Sequence, residues 1–137
     1  MRPPADVIAA ARSFLGTPYR HRASRAGAGA DCLGLVVGVF RDLTGEDPTL
    51  PPYGPDWRDN RYRLALEDLA ESCLHPVAGP PGPGHVVLFH LGPSPLPRHC
   101  GILTDEGHFI HAQEGIGVVE VPLGPWASRI ARAFSFP

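Results

Sequence analysis

A cysteine at the start of a predicted helix is the first residue whose type and position indicate chemistry. Cys32 follows Asp31 where a glycine-rich loop leads into an apolar segment. The positive end of the helix dipole and the unpaired backbone N–H groups at that position favour the thiolate form. A nucleophilic cysteine also needs a base within hydrogen-bonding reach. The alternative is that Cys32 is a small buried residue of the core, as free cysteines often are.

Two histidines late in the chain are candidates for that base. His99 and His111 lie on two predicted strands joined by a turn over 104–107. His108 and His111 are three residues apart, so they face opposite sides of one strand and cannot serve one site. We expect His99 and His111 to share a face by being directly opposed, which requires an odd number of loop residues or a bulge. Zinc binding by Cys32, His99 and His111 is a chemical alternative, although no known ligand spacing is present.

The other two of the three cysteines are expected to be structural. Cys73 lies on the apolar stripe of a predicted helix and is assigned to the core. Cys100 adjoins His99 in a strand, so the two side chains point to opposite faces. We expect the sulfur of Cys32 near His99 and Cys100 pointing away. A Cys100 on the face of Cys32 would contradict the register and the site built on it.

Three helices and five strands are predicted to position these residues. The helices cover 5–15, 32–43 and 60–74, and the strands cover 85–89, 99–103, 108–112, 117–121 and 129–136. Gly34 and Gly38 leave one face of the second helix bare, so another backbone can approach it closely. Because helices come first and strands later, the order favours an α+β fold with an antiparallel sheet.

Length and charge limit the classes of protein to which the chain can belong. Its 137 residues fit a single domain over 1–137. The net charge of −2 argues against nucleic-acid binding. No apolar run is long enough to insert into a membrane. Asp6 and Arg12 interrupt the apolar region that a signal peptide needs, so we expect synthesis in the cytoplasm without one.

Five short motifs, in the same order, resemble the NlpC/P60 cysteine peptidases over essentially the whole chain. They are Gly16-Thr-Pro-Tyr19, Asp31-Cys32-Leu-Gly-Leu35, Pro83-Gly84-His-Val-Val-Leu-Phe89, His99-Cys-Gly-Ile102 and Phe109-Ile-His111-Ala112. The flanks Pro55-Asp56-Trp57 and 126–137 are similar to the phage-tail and gene-transfer-agent branch of that family.

The resemblance implies a papain-like α+β fold, a catalytic triad and no cofactor. By position, Cys32 is the nucleophile, His99 the general base and acid, and His111 the residue that orients the His99 ring. The Tyr19 hydroxyl, with the Cys32 backbone N–H, is implied to stabilise the oxyanion. A packed surface aromatic is the alternative for Tyr19. Asp31 is implied to bind the amino end of the substrate or, alternatively, to cap the helix.

Two positions depart from the family pattern. His85 stands where Asp is usual before a strand, and Leu33 replaces the commoner Ser after the cysteine, which can alter the pocket. Three loop arginines, Arg20, Arg22 and Arg25, either meet carboxylates of a peptidoglycan stem peptide or form a solvated basic loop, and the solvated loop is favoured.

The resemblance predicts a peptidoglycan hydrolase, an endopeptidase that cuts stem peptides and is carried on a phage-like tail. Its expected partner is a tail-hub or baseplate protein, docked through the Pro-rich segments 46–58 and 76–97. One alternative is a structural tail-tip component with a masked or vestigial site. Another is an amidase or acyltransferase on the same fold, because bond choice depends on pocket shape.

Overall fold

Three helices and one large sheet make up the computed structural model, which describes residues 2–48, 60–93, 96–105 and 107–137, without the side chains of 60–64. The helices are α1 (Pro4–Arg12), α2 (Cys32–Thr44) and α3 (Asn60–Cys73). The strands are β1 (Ser24–Arg25), β2 (Gly29–Ala30), β3 (His75–Pro76), β4 (Val86–Phe89), β5 (His99–Leu103), β6 (His108–Gln113), β7 (Gly117–Pro122) and β8 (Ile130–Ser135). A 3₁₀ helix covers Gly124–Arg129. The motif at 55–57 and residues 49–58 of the first Pro-rich segment lie outside the described residues.

The strands form a six-stranded antiparallel sheet in the order β3-β8-β4-β5-β6-β7, and β1 and β2 form a separate hairpin. The predicted α+β class and all three predicted helices and five predicted strands are confirmed, with ends shifted by a few residues. Strands β1, β2 and β3 were not predicted, because strands of two residues are too short to show a pattern. No helix among the described residues is long and apolar enough to cross a membrane.

Helix α2 begins and ends at residues that suit those positions. The Asp31 carboxylate caps its start by accepting a hydrogen bond from Gly34 N at 2.7 Å. Gly45 ends it in the left-handed conformation, with a φ of 76°. Every residue from Cys32 to Phe40 is buried, as expected for a helix that is apolar almost all round.

The bare face of α2 is crossed at close range, as predicted. A Cβ atom at Gly34 would lie 1.7 Å from the carbonyl oxygen of Ala23. A Cβ atom at Gly38 would lie 2.2 Å from Cζ of the Phe14 ring. The two glycines therefore let Ala23, just before β1, and Phe14, just after α1, pack directly on the helix that carries Cys32.

The large sheet has two differently covered faces. The helix face packs against the three helices and includes Val86, Leu88, Cys100, Ile102, Ile110, Ala112 and Phe134. The outer face carries a smaller apolar cluster of Val87, Phe89, Leu103, Phe109 and Ala133, with Trp126 of the 3₁₀ helix packed on it. Alternation along β5 therefore places Cys100 on the helix face and His99 on the outer face.

Candidate active site

His99 and His111 form a directly bonded pair on the outer face of the sheet. Nε2 of His99 lies 2.8 Å from Nδ1 of His111. Leu103 pairs with Phe109, so an odd number of residues, 104–108, separates this last pair along the chain, and the shared face is confirmed. The expectation that His99 and His111 are directly opposed is wrong, because extending this register places Gly101 opposite His111. The two rings meet on the diagonal, which long side chains can span.

Gly101 lies between the two histidines along the sheet and has no side chain to separate them. A Cβ atom at this position would lie 2.7 Å from Cδ2 of Phe109 and 2.9 Å from the carbonyl oxygen of Ile110. The space that a side chain would occupy is therefore already taken by β6. The glycine of the His-Cys-Gly motif thus permits the close approach of β5 and β6 beside the histidine pair.

An aromatic ring covers the histidine pair, and sequence reasoning did not single it out. The centroid of the Trp126 ring lies 5.7 Å from that of His99 and 5.5 Å from that of His111. Phe89 and Phe109 complete the cluster, at 5.2 Å and 5.6 Å from Trp126. The sequence shows Trp126 only as part of a flanking motif, because no periodic pattern links a 3₁₀ helix to a strand far away in the chain.

The cover keeps His111 uncharged. Only 2% of the surface of His111 is exposed to solvent. Burial, and to a smaller extent the charge of His99, lower the pKa of His111 from 6.5 to about 4. A buried imidazole without a carboxylate partner is more stable in its neutral form. His111 can therefore act as a neutral hydrogen-bonding partner for His99 over the whole physiological pH range.

Asp31 holds the loop that leads into the cysteine. Besides capping α2 at Gly34 N, its carboxylate accepts a hydrogen bond from Arg22 N at 2.8 Å. Arg22 has a φ of 64°, a left-handed conformation that this bond helps to fix. The helix-capping role foreseen for Asp31 is therefore present in the structure. Binding of the amino end of a substrate stays a prediction.

Tyr19 lies in the same electrostatic environment as Asp31 and Cys32. The hydrogen bonds from Arg20 N to Ala30 O (3.2 Å) and from Ala30 N to Pro18 O (3.0 Å) hold its backbone beside the entrance of α2. Burial, followed by the charges of Cys32 and Asp31, raises the pKa of Tyr19. The hydroxyl therefore keeps its proton and is available as a hydrogen-bond donor, as an oxyanion partner must be.

Cys100 does not point away from Cys32, and that expectation is wrong. Sγ of Cys100 lies 3.2 Å from the backbone oxygen of Cys32, and both residues are 1% exposed. The reason is that the N-terminus of α2 packs on β5 from the helix face. This contact does not exclude the site, because His99 is the residue directly before Cys100 in β5. The contact places the Cys32 backbone beside the end of β5 that carries His99. Contact between the Cys32 sulfur and the His99 ring stays a prediction.

The direct bond between the two imidazoles argues against the zinc alternative. A nitrogen separation of 2.8 Å leaves no space for an ion between Nε2 of His99 and Nδ1 of His111. Within the described part of the chain, no three His, Cys, Asp or Glu side chains are grouped as metal ligands. The arrangement resembles a relay of hydrogen bonds rather than a coordination sphere.

The remaining candidates and departures have local explanations. Nδ1 of His85 accepts a hydrogen bond from Gly82 N at 2.9 Å, which is the turn-capping contact that a carboxylate makes. Burial lowers the pKa of His85 and so favours this neutral acceptor. Leu33 is completely buried in the core, and its effect on the pocket stays a prediction. Arg20 and Arg25 are exposed, in agreement with a solvated loop. Cys73 is half-buried and packs against the core.

A buried helix that begins at a cysteine, packed on an antiparallel sheet that carries a bonded histidine pair, defines a papain-like hydrolase fold. The sequence matches the NlpC/P60 family over residues 16–135, and the chain belongs to that family. The predicted class of enzyme, a cysteine peptidase, is confirmed at the level of the family.

Solved structures share this fold at low sequence identity. The NlpC/p60 domain of the peptidoglycan hydrolase SagA is 23% identical, with a TM-score of 0.68, over 98% of this chain and 100% of that one. An NlpC/P60 family protein from Bacillus cereus is 19% identical (TM-score 0.70), over 98% of this chain and 40% of that one. NlpC2 from Trichomonas vaginalis is 18% identical (TM-score 0.68), over 99% and 47%. This chain thus spans less than half of the last two. No curated protein sequence matches it significantly.

Proposed function

We propose that this chain hydrolyses peptide bonds in the stem peptides of peptidoglycan, with Cys32, His99 and His111 as its catalytic triad. The observation that carries the proposal is the 2.8 Å bond between His99 and a His111 that burial keeps neutral. The similarity to the SagA domain, which is described as part of a peptidoglycan hydrolase and is covered completely, supports the choice of substrate.

The mechanism follows from which ring nitrogen is already bonded. His111 is neutral and accepts a hydrogen bond at Nδ1 from Nε2–H of His99, which leaves Nδ1 of His99 to take the thiol proton of Cys32. The thiolate attacks the peptide carbonyl, and the Cys32 N–H and the Tyr19 hydroxyl stabilise the oxyanion. His99 then donates its Nδ1 proton to the leaving amine, and water hydrolyses the thioester.

Mass spectrometry of the muropeptides released from purified cell walls tests the proposal. Wild-type protein is expected to create new amino and carboxyl ends within stem peptides. Cys32→Ala and His99→Ala should release none, whereas Cys73→Ala, a cysteine outside the site, should match the wild type. Release of whole stem peptides from the sugar would identify an amidase instead, and products joined to an added acceptor would identify an acyltransferase. A Cys32→Ala variant that still cleaves would refute the assignment of the nucleophile.

We further propose that the chain acts on a phage-like tail particle, docked to a tail-hub or baseplate protein after synthesis in the cytoplasm. The support is the similarity of the flanks around 55–57 and 126–137 to that branch of the family. A particle would supply the local concentration that offsets weak intrinsic affinity for the wall. The test is to purify particles from a producing strain and to search for the chain by mass spectrometry. Its recovery only as a free monomer would refute docking and leave the hydrolase proposal intact.

One observation favours a second candidate, a structural tail-tip component with a masked site. Cys32 is only 1% exposed, whereas a nucleophile must reach its substrate. Alkylation separates the two candidates, because iodoacetamide is expected to modify Cys32 of an active enzyme faster than Cys73. A Cys32 that resists alkylation in the folded protein would support the masked site.

A further inference from the structure

A second thiol lies against the backbone of the candidate nucleophile. Sγ of Cys100 lies 3.2 Å from the backbone oxygen of Cys32. Neither cysteine forms a disulfide in the structure, and both are buried. The mechanism proposed above does not use Cys100, and packing alone does not require a thiol at this position of β5.

The surroundings of Cys100 keep it protonated while Cys32 is reduced. The hydrogen bond with Cys32, burial and the negative charges of Cys32 and Asp31 all raise the pKa of the Cys100 thiol. Cys100 therefore stays a protonated thiol beside the candidate nucleophile while Cys32 is reduced. Oxidation of Cys32 removes its charge and alters that hydrogen bond, whereas burial and the charge of Asp31 stay.

We propose that Cys32 and Cys100 form a reversible disulfide when a peroxide oxidises the site. The Cys32 thiolate attacks hydrogen peroxide, so that an S–O bond forms, the O–O bond breaks and hydroxide leaves. The Cys100 sulfur then attacks the Cys32 sulfur, so that the S–S bond forms, the S–O bond breaks, and the thiol proton leaves with the oxygen as water. The hydroxide takes up the proton that Cys32 lost on ionising, so that overall two thiols are oxidised and one peroxide is reduced to two waters.

This disulfide would block hydrolysis and protect the nucleophile. A sulfur bonded to Cys100 cannot attack a carbonyl, and it is also shielded from irreversible oxidation to sulfinic and sulfonic acids. The bond itself does not depend on the proposed function, whereas the loss of hydrolysis rests on it. A low-molecular-weight dithiol restores both free thiols.

The test uses the full-length reduced protein, hydrogen peroxide and non-reducing peptide mapping by mass spectrometry. We expect a cross-linked peptide pair that contains Cys32 and Cys100, with the mass of two hydrogens lost, and complete recovery of free thiols in dithiothreitol. Cys73→Ala should give the same cross-link. Cys100→Ala and Cys100→Ser should instead accumulate sulfinic and sulfonic acid at Cys32, which dithiothreitol does not reverse.

The mapping stays informative if hydrolysis is never observed, because it detects the bond and not the activity. A wild-type Cys32 that is over-oxidised as fast as in Cys100→Ala would overturn the proposal. A disulfide that joins Cys73 to either of the other cysteines would overturn it as well. If hydrolysis is observed, the wild type and Cys73→Ala should lose it when the cross-link forms and regain it in dithiothreitol. Cys100→Ser, in which Cys32 is oxidised irreversibly, should not regain it. Wild-type hydrolysis that persists while the bond is present would overturn the blocking role.

Discussion

Replacing His111 with glutamine should make the stability of the protein less dependent on pH. The folded chain holds the pKa of His111 at about 4, against 6.5 without that environment. Below about pH 6.5 the unfolded chain therefore binds a proton that the folded chain does not. The free energy of unfolding then decreases by about 1.4 kcal/mol for each unit by which the pH is lowered. The loss is complete once pH drops below the folded pKa, and it amounts to roughly 3 kcal/mol. His111 is only 2% exposed, so solvent screens little of this effect.

Urea unfolding of the wild type and His111→Gln at a series of pH values between about 7 and about 4 measures this contribution. Glutamine offers a carbonyl oxygen to His99 without a titrating group, so the difference between the two proteins isolates residue 111. Glu120, whose pKa is lowered chiefly by its hydrogen bond with Arg12, titrates in both proteins and cancels. His108→Gln, an exposed histidine of the same strand, is the matched control and should behave as the wild type. Equal losses of unfolding free energy in the wild type and His111→Gln would show that His111 is not held neutral.

Other perturbations test the surroundings of the site. Trp126→Ala should raise the pKa of His111 towards 6.5, as measured by NMR titration. Trp126→Phe should keep most of the cover over His111. An unchanged pKa of His111 in Trp126→Ala would contradict the shielding. Gly101→Ala should lower the free energy of unfolding by about 1–3 kcal/mol, because β6 fills the space of the added methyl group; a urea midpoint equal to that of the wild type would show that β5 and β6 can separate. Asp31→Ala should cost about 1 kcal/mol through loss of the helix cap, and a variant as stable as the wild type would mean that solvent replaces the cap.

The pattern of residue types was sufficient to locate most of the elements that carry the site. Apolar runs and helix-ending glycines marked α2 and its start at Cys32. A shared face for His99 and His111 was expected only if the loop held an odd number of residues or a bulge, and the predicted four-residue turn over 104–107 did not meet that condition; the register of the structure does. Parity cannot distinguish a directly opposed pair from a diagonal one, and that choice depends on which strand positions actually bond. Here Gly101 is the residue opposite His111.

Contacts between distant parts of the chain could not be read from local patterns. Alternation along β5 gives the face of Cys100, but it does not tell from which side α2 packs on the strand. The cover that Trp126 provides depends on the path of the chain after β7, which no periodicity describes. His85 illustrates a third limit, because a histidine performs the capping contact expected of a carboxylate only when its own ring is neutral and correctly turned.

The position of β8 in the sheet has a consequence for the order in which the protein is made. Strand β8 is the last strand in the chain, yet it lies between β3 and β4 rather than at an edge. The 3₁₀ helix with Trp126 directly precedes it. While the chain is still on the ribosome, β4 therefore lacks one neighbour and the histidine pair lacks its cover until β8 emerges. Completion of the site is thus coupled to the end of synthesis of this domain, and a nascent chain that stops before β8 should have no finished site to use.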